Sequence, residues 1–198
     1  MSGANASPTG RSHQEMSGAN ASPTGRSHQE MSGAKPVVGI IMGSDSDLPT
    51  MQEAVKVLKQ FEIPYEIGVY SAHRSPHRTS DYVTTAQGRG LKLIIAGAGS
   101  SAHLAGVTAA ETTLPVIGVP IDSSPLSGFD ALLSTVQMPP GVPVATMGVG
   151  KSGATNAGIF AVQILALTDE VLAAKLKDYK SQLEKTVAEK SKKIQESL

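Results

Sequence analysis

The chain has 198 residues, 40% hydrophobic and 17% charged, enough to bury one sizeable core as a single globular domain. Its 17 Lys and Arg balance 17 Asp and Glu, so no global field attracts nucleic acid or an anionic membrane, and any anion site has to be local. The absence of cysteine excludes disulfides and thiolate metal sites and fits a reducing, cytoplasmic setting, and the most apolar run, Gly158 to Leu167, is too short to span a bilayer.

Residues 1–15 recur unchanged at residues 16–30, and a third copy starts at Met31 and stops after Ala34. Repeat proteins drift, and this unit is too short and polar to bury a face, so the duplication reads as a gene-model artefact. Residues 1–34 are expected to be a disordered tail without a signal-peptide core, and His13 and His28 are given no role. Residues 35–198 then form one α/β domain.

From Lys35 onward short apolar runs alternate with amphipathic stretches. Val37–Gly43 reads as a buried strand, and Met51, Ala54, Val55, Leu58 and Phe61 follow at helical spacing. Four more strands are predicted at Tyr65–Tyr70, Lys92–Gly99, Leu114–Pro120 and Val142–Gly150, with helices over Pro76–Gln87, Ala102–Thr112, Ser127–Val136 and Ala154–Leu167. Strands alternating with helices call for a three-layer, doubly wound parallel sheet, in the flavodoxin-like order 2-1-3-4-5. A last helix over 169–196 carries the apolar stripe Leu172, Leu176, Tyr179, Leu183 and Val187. The stripe either folds back on its own sheet or packs against other copies, and a high-order homo-oligomer is expected.

That topology places chemistry beyond the carboxyl ends of strands 1, 2 and 3. After strand 1 comes Gly43-Ser44-Asp45-Ser46-Asp47, whose serines and free amides suit phosphate oxygens while Asp47 suits sugar hydroxyls. Ser46 or Asp47 could equally do no more than cap the helix that continues with Leu48 and Pro49. After strand 2 comes Ser71-Ala72-His73-Arg74: Arg74 can grip a phosphate with two N–H groups, Ser71 can donate to it, and an imidazole exchanges protons near neutral pH. His77 and Arg78 fall in the first turn of the next helix, with Pro76, and are given no chemistry. After strand 3 comes Gly97 to His103, whose small residues let a ligand approach the backbone, or serve strand-to-helix packing. His103 is either a packing residue or a second imidazole in the same crevice.

The motifs MGSDSD, YSAHRSP, AGAGSSAHLAG, PVIGVP and STVQMPPGVPVATMGVGKSGATNAG closely resemble the bacterial and fungal class of the N5-carboxyaminoimidazole ribonucleotide mutase family of purine biosynthesis, over about Pro36 to Asp169. The resemblance implies a homo-octamer whose active sites draw on more than one subunit, and which needs no metal or redox cofactor. It implies that Ser44 and Asp47, with Gly43 and Ser46, hold the ribonucleotide, that His73 is the general acid/base, and that Arg74 binds phosphate with Ser71 assisting. Gly99 and Ser100 then lie at the imidazole and carboxylate end, with His103 in support. The commoner third motif has Gly-Ala before Ala-His-Leu-Pro-Gly, where this chain has Ser100, Ser101 and then Ala105, adding hydroxyls to that wall. The related animal-type carboxylases, which use free CO2, replace this motif, so retaining Ser101 to Leu104 favours the mutase. Functional coupling to an ATP-dependent carboxylating enzyme is a further expectation.

Two other functions share the strand order. A receiver domain would match Asp45, Asp47 and Lys151 but needs a phosphoacceptor aspartate where this chain has Gly97 to Ser101. A flavin module would need aromatic side chains around the ring, and only 4% of residues are aromatic, none of them Trp.

Overall fold

The computed structural model describes residues 34–198. The tail expected over residues 1–34, with His13 and His28, lies outside the described residues apart from Ala34. Five strands pair in parallel: β1 (Val38–Met42), β2 (Tyr65–Val69), β3 (Leu93–Gly99), β4 (Val116–Ile121) and β5 (Ala145–Thr146). Their order is β2-β1-β3-β4-β5, the flavodoxin-like order expected from the sequence. Helices α1 (Leu48–Gln60), α2 (Pro76–Arg89), α3 (Leu104–Glu111) and α4 (Phe129–Val136) make the crossovers, and α5 (Gly150–Ala166) and α6 (Glu170–Glu196) follow β5.

Helices cover both faces of β1 and β3, which is why both read as unbroken apolar runs. Alternate residues serve opposite layers. Ile40, Met42 and Ile95 pack with Met51 and Leu58 of α1 and Ala157 of α5, whereas Ile41, Ile94 and Ala96 pack with Val83 of α2 and Leu104 of α3. In the parallel register Met42 lies between Val69 and Gly97, so β1 and β2 end level and the loops after β1, β2 and β3 share one edge. Helix α5 approaches α1 closely: a Cβ at Gly158 would stand 2.8 Å from the Val57 Cβ and 3.0 Å from the Ala54 carbonyl oxygen. Any side chain there would prise the helices apart.

Several boundaries differ from the sequence pattern, those of β5, α4 and α5 among them. β5 pairs only through Ala145 and Thr146, because the prolines at 139, 140 and 143 offer no amide proton to a ladder. Helix α4 starts at Phe129, since Ser127 (φ 52°) and Gly128 (φ 82°) are left-handed and cannot belong to it. Helix α5 starts at Gly150, ahead of the predicted Ala154. The first part of the stripe on helix α6 folds back on its own domain. Leu172 is buried, Leu176 and Tyr179 pack against the sheet domain, and Tyr179 meets Phe61 edge-on at 5.6 Å. Beyond them Leu183, Val187 and Ile194 are exposed.

On the α2 face the Tyr82 ring is buried and its hydroxyl has no hydrogen-bond partner among the described residues. Burial pushes its pKa far up. An unpaired buried hydroxyl costs about 1–3 kcal/mol, so Tyr82→Phe is expected to stabilise the fold by about 1 kcal/mol. The measurement is a urea midpoint that moves up at unchanged m-value; a lower midpoint would show that the hydroxyl is paired.

Candidate active site

The loop after β1 is tied to β3 by the Gly43 amide, which donates to the Gly97 carbonyl at 3.1 Å. It then closes a single 3-10 turn, Asp45–Asp47, capped by Ser44. The Ser44 hydroxyl accepts from the Ser46 amide at 3.3 Å, and the Asp47 carboxylate accepts from the Ser44 amide at 3.1 Å, a capping box on a short turn. Of the two caps weighed from the sequence for α1, Ser46 lies inside the 3-10 turn that Ser44 caps, and Asp47 takes the N-cap position but makes no side-chain bond into the helix. Its carboxylate points back toward the cleft loop.

Asp47 is only 4% exposed. Burial pushes its carboxyl above the usual 3.8, against the pull of the Ser44 amide and the Arg74 guanidinium. The folded chain therefore holds this proton more tightly than the unfolded chain, so ionisation costs stability above the folded pKa and nothing below 3.8. Asparagine keeps an oxygen for the Ser44 amide. Asp47→Asn is accordingly expected to raise Tm at neutral pH, with the advantage fading as acid takes the solution below 3.8. A Tm difference that grows in acid would reverse the sign and overturn this reading.

The loop after β2 is held by its own hydroxyls. The Ser75 hydroxyl accepts from the Ser71 amide at 3.2 Å, the Ser71 hydroxyl accepts from the Arg74 amide at 3.1 Å, and the Thr79 hydroxyl donates to the Ser71 carbonyl at 3.2 Å. Arg74 reaches across to the first loop, its Nη2 donating to the Gly43 carbonyl at 3.1 Å. The loop after β3 turns through Ser100, left-handed at φ 53°, a conformation unusual for a residue with a side chain. The His103 amide then donates to the Ser101 carbonyl at 2.8 Å and α3 begins.

These turns bring together two imidazoles that stand 30 residues apart in the chain. His73 Nε2 lies 2.6 Å from His103 Nδ1, the rings meeting nearly at right angles with centroids 4.9 Å apart. One nitrogen of that contact must donate and the other accept. Around the pair is a cleft of about 410 Å³, and every residue given a catalytic or substrate role from the sequence, from Gly43 to His103, lines it, whereas Asp45 and Gly97 of the same loops do not. His77 and Arg78 do not. Ala98, Leu104 and Ser123 line it without having been singled out. Ser123 was legible in principle, because it follows β4, the neighbour of β3, at the same carboxyl edge. Among the described residues no cluster of three or more His, Asp or Glu side chains could hold a metal, and no helix is long and apolar enough to cross a membrane.

The sequence signature of the family described as AIR carboxylase matches residues 37–186, which takes in all three loops. The chain belongs to the AIR carboxylase family. Among AIR carboxylase relatives, the N5-carboxyaminoimidazole ribonucleotide mutase of Bacillus subtilis (strain 168) is 56% identical over 160 residues, 81% of this chain and 99% of that protein. The phosphoribosylaminoimidazole carboxylase of Candida glabrata is 51% identical over 161 residues, 81% of this chain and 28% of that protein. The crystal structure of Treponema denticola PurE has the same fold, with a TM-score of 0.70 at 29% identity, covering 78% of this chain and 95% of that one. The AIR carboxylase match ends at Thr186, so the end of α6 lies beyond it.

Proposed function

We propose that this protein is an N5-carboxyaminoimidazole ribonucleotide mutase of purine biosynthesis, an isomerase that moves a carboxylate from an exocyclic nitrogen to the ring carbon of an aminoimidazole ribonucleotide. The observation that carries the reading is the His73–His103 contact at 2.6 Å inside a cleft that also holds Arg74 and the Ser44–Asp47 turn. In this reading Arg74 and Ser71 bind the phosphate, and Ser44, Ser46 and Asp47 hold the ribonucleotide, with Asp47 at the sugar hydroxyls. Gly43 lets the ligand close on the backbone, and Gly99 and Ser100 face the imidazole and its carboxylate. The N–carboxylate bond breaks to release CO2 into the cleft while His73 gives a proton to the departing nitrogen. The electron-rich ring carbon then attacks the same CO2, the new carbon–carbon bond forms, and the proton on that carbon returns to His73. The proton count closes, so one imidazole suffices. Keeping CO2 beside the ring is a matter of positioning and exclusion of water.

The test is to incubate the purified protein with the N5-carboxylated ribonucleotide, without ATP and with a chelator present, and follow formation of the carbon-carboxylated product. Turnover is expected, and its absence, or its dependence on added metal or on free CO2 with the decarboxylated ribonucleotide, would overturn the reading.

The same reading carries a homo-octamer, a cytoplasmic location, and functional coupling to an ATP-dependent carboxylating enzyme that supplies the substrate. Assembly is supported by apolar side chains left exposed on one chain: Leu126 and Phe129 near the cleft's edge of the sheet, and Leu183 and Val187 on α6. Light scattering at micromolar concentration is expected to give a high-order oligomer that truncation of α6 weakens; a monomer would sink the assembly.

A further inference from the structure

Outside the cleft, β2 and α2 share a group of side chains that the proposed chemistry does not use. Glu66, Gly68 and Tyr70 alternate onto one face of β2 and its extension. Glu66 is nearly buried and pairs with Arg89 Nη2 at 2.8 Å, the Arg89 guanidinium lies 4.6 Å from the centre of the Tyr82 ring, and the Tyr82 ring packs on Tyr70 with centroids 4.3 Å apart. Arg78, in the first turn of α2, lies over Tyr70 at 4.8 Å. The slot for the Tyr70 ring exists because residue 68 has no side chain: a Cβ there would stand 2.7 Å from Tyr70 Cε2. The Tyr70 amide is the last link of this loop's root to β1, donating to the Met42 carbonyl at 2.8 Å.

We infer that Tyr70 is a positioning residue: by stacking on Tyr82 it pins both ends of the loop that carries His73 and Arg74. The loop leaves the sheet at Tyr70 and ends where α2 begins at Pro76, and α2 carries both Arg78 and Tyr82. One ring pair therefore fixes the point where the loop starts and the helix into which it runs. The hydroxyl bonds among Ser71, Ser75 and Thr79 set the shape of the loop, and the stack sets where that shape sits relative to His103. A loss of register of about 1 Å between reacting groups costs on the order of 10²-fold in rate, so a loop only slightly loosened loses most of its use.

The kinetic part of this inference rests on the mutase reading, and a second measurement does not. Tyr70→Ala is expected to lower kcat/KM by about 10- to 100-fold, Gly68→Ala to lower it in the same direction by displacing the ring, and Tyr70→Phe, which keeps the ring, to restore it. In parallel, diethylpyrocarbonate labelling mapped by mass spectrometry reads the histidines without substrate. In Tyr70→Ala and Gly68→Ala the labelling of His73 is expected to rise several-fold relative to exposed His77, because His73 loses its contact with His103. Should Tyr70→Ala fail to fold, Gly68→Ala carries both readouts. A merely structural role lowers Tm and leaves the His73 to His77 ratio and the kinetics of the folded enzyme unchanged, and that result would overturn the inference. A wild-type protein without mutase turnover would overturn the functional reading alone, since the labelling ratio would still decide this one.

Discussion

His73→Asn is expected to leave substrate affinity nearly intact and to lower kcat by about 10²- to 10⁴-fold, the usual consequence of losing a general acid/base. Asparagine matches the imidazole in reach and can hydrogen-bond, but it cannot exchange a proton. The proposed reaction needs that exchange twice, once to the departing nitrogen and once from the ring carbon, so a residue that only hydrogen-bonds fails at both steps. The contact with His103 sharpens the test, since its imidazole stands 2.6 Å away and is the first candidate to take over. Steady-state kinetics with the N5-carboxylated ribonucleotide decides the matter. A variant keeping more than about a tenth of wild-type kcat would move the proton transfer to His103, because losing a true general acid/base costs at least ten times more than that.

Arg74→Ala is expected to act on the other kinetic constant. A charged hydrogen bond to phosphate is worth roughly 1.5 to 3 kcal/mol, so KM should rise by about one to two decades with kcat changed far less. Arg74 also donates to the Gly43 carbonyl, which an alanine would leave to water, but that carbonyl sits at an open edge and its loss costs little stability. Arg74→Lys keeps charge and loses the two-pronged fork, so it should fall between alanine and wild type. If Arg74→Ala instead lowers kcat at unchanged KM, the guanidinium acts on the transition state and the phosphate is held elsewhere, by the amides of the Ser44–Asp47 turn.

Much of this was readable from the order of residues. The strand sequence follows from β-branched runs at regular intervals, and the strand order, by placing three loops at one edge, collects the cleft residues in one place. What escaped the sequence depended on conformations or on meetings across space. The β5 run looked like a strand because Val142 to Gly150 is largely apolar, yet Pro143 within it and Pro139 and Pro140 before it left only Ala145 and Thr146 to pair. Asp47 takes the cap position of α1, but its side chain turns back to the Ser44 amide because the chain makes a 3-10 turn, capped by Ser44, before α1, a choice that spacing alone does not reveal. The brace of Tyr70 and Tyr82 joins residues twelve apart on a strand and a helix, and nothing in either segment announces that their rings will meet. The stripe on α6 was legible as apolar, but where it stops packing on its own domain, after Tyr179, is fixed by how far α5 and the end of α1 extend beside it.

The close approach of α5 to α1 has a consequence for how the chain is made. The cleft is complete in sequence once Ser123 has been synthesised, but the face of α1 that bears Ala54 and Val57 is covered only when Gly158 arrives. On the ribosome the nascent protein therefore carries all its cleft residues on a half-open core, with apolar surface waiting for a helix still to be translated. A break in the polypeptide between α4 and β5 would divide it into a piece that holds the chemistry and a piece that closes the core, so two inactive fragments should reconstitute activity when expressed together.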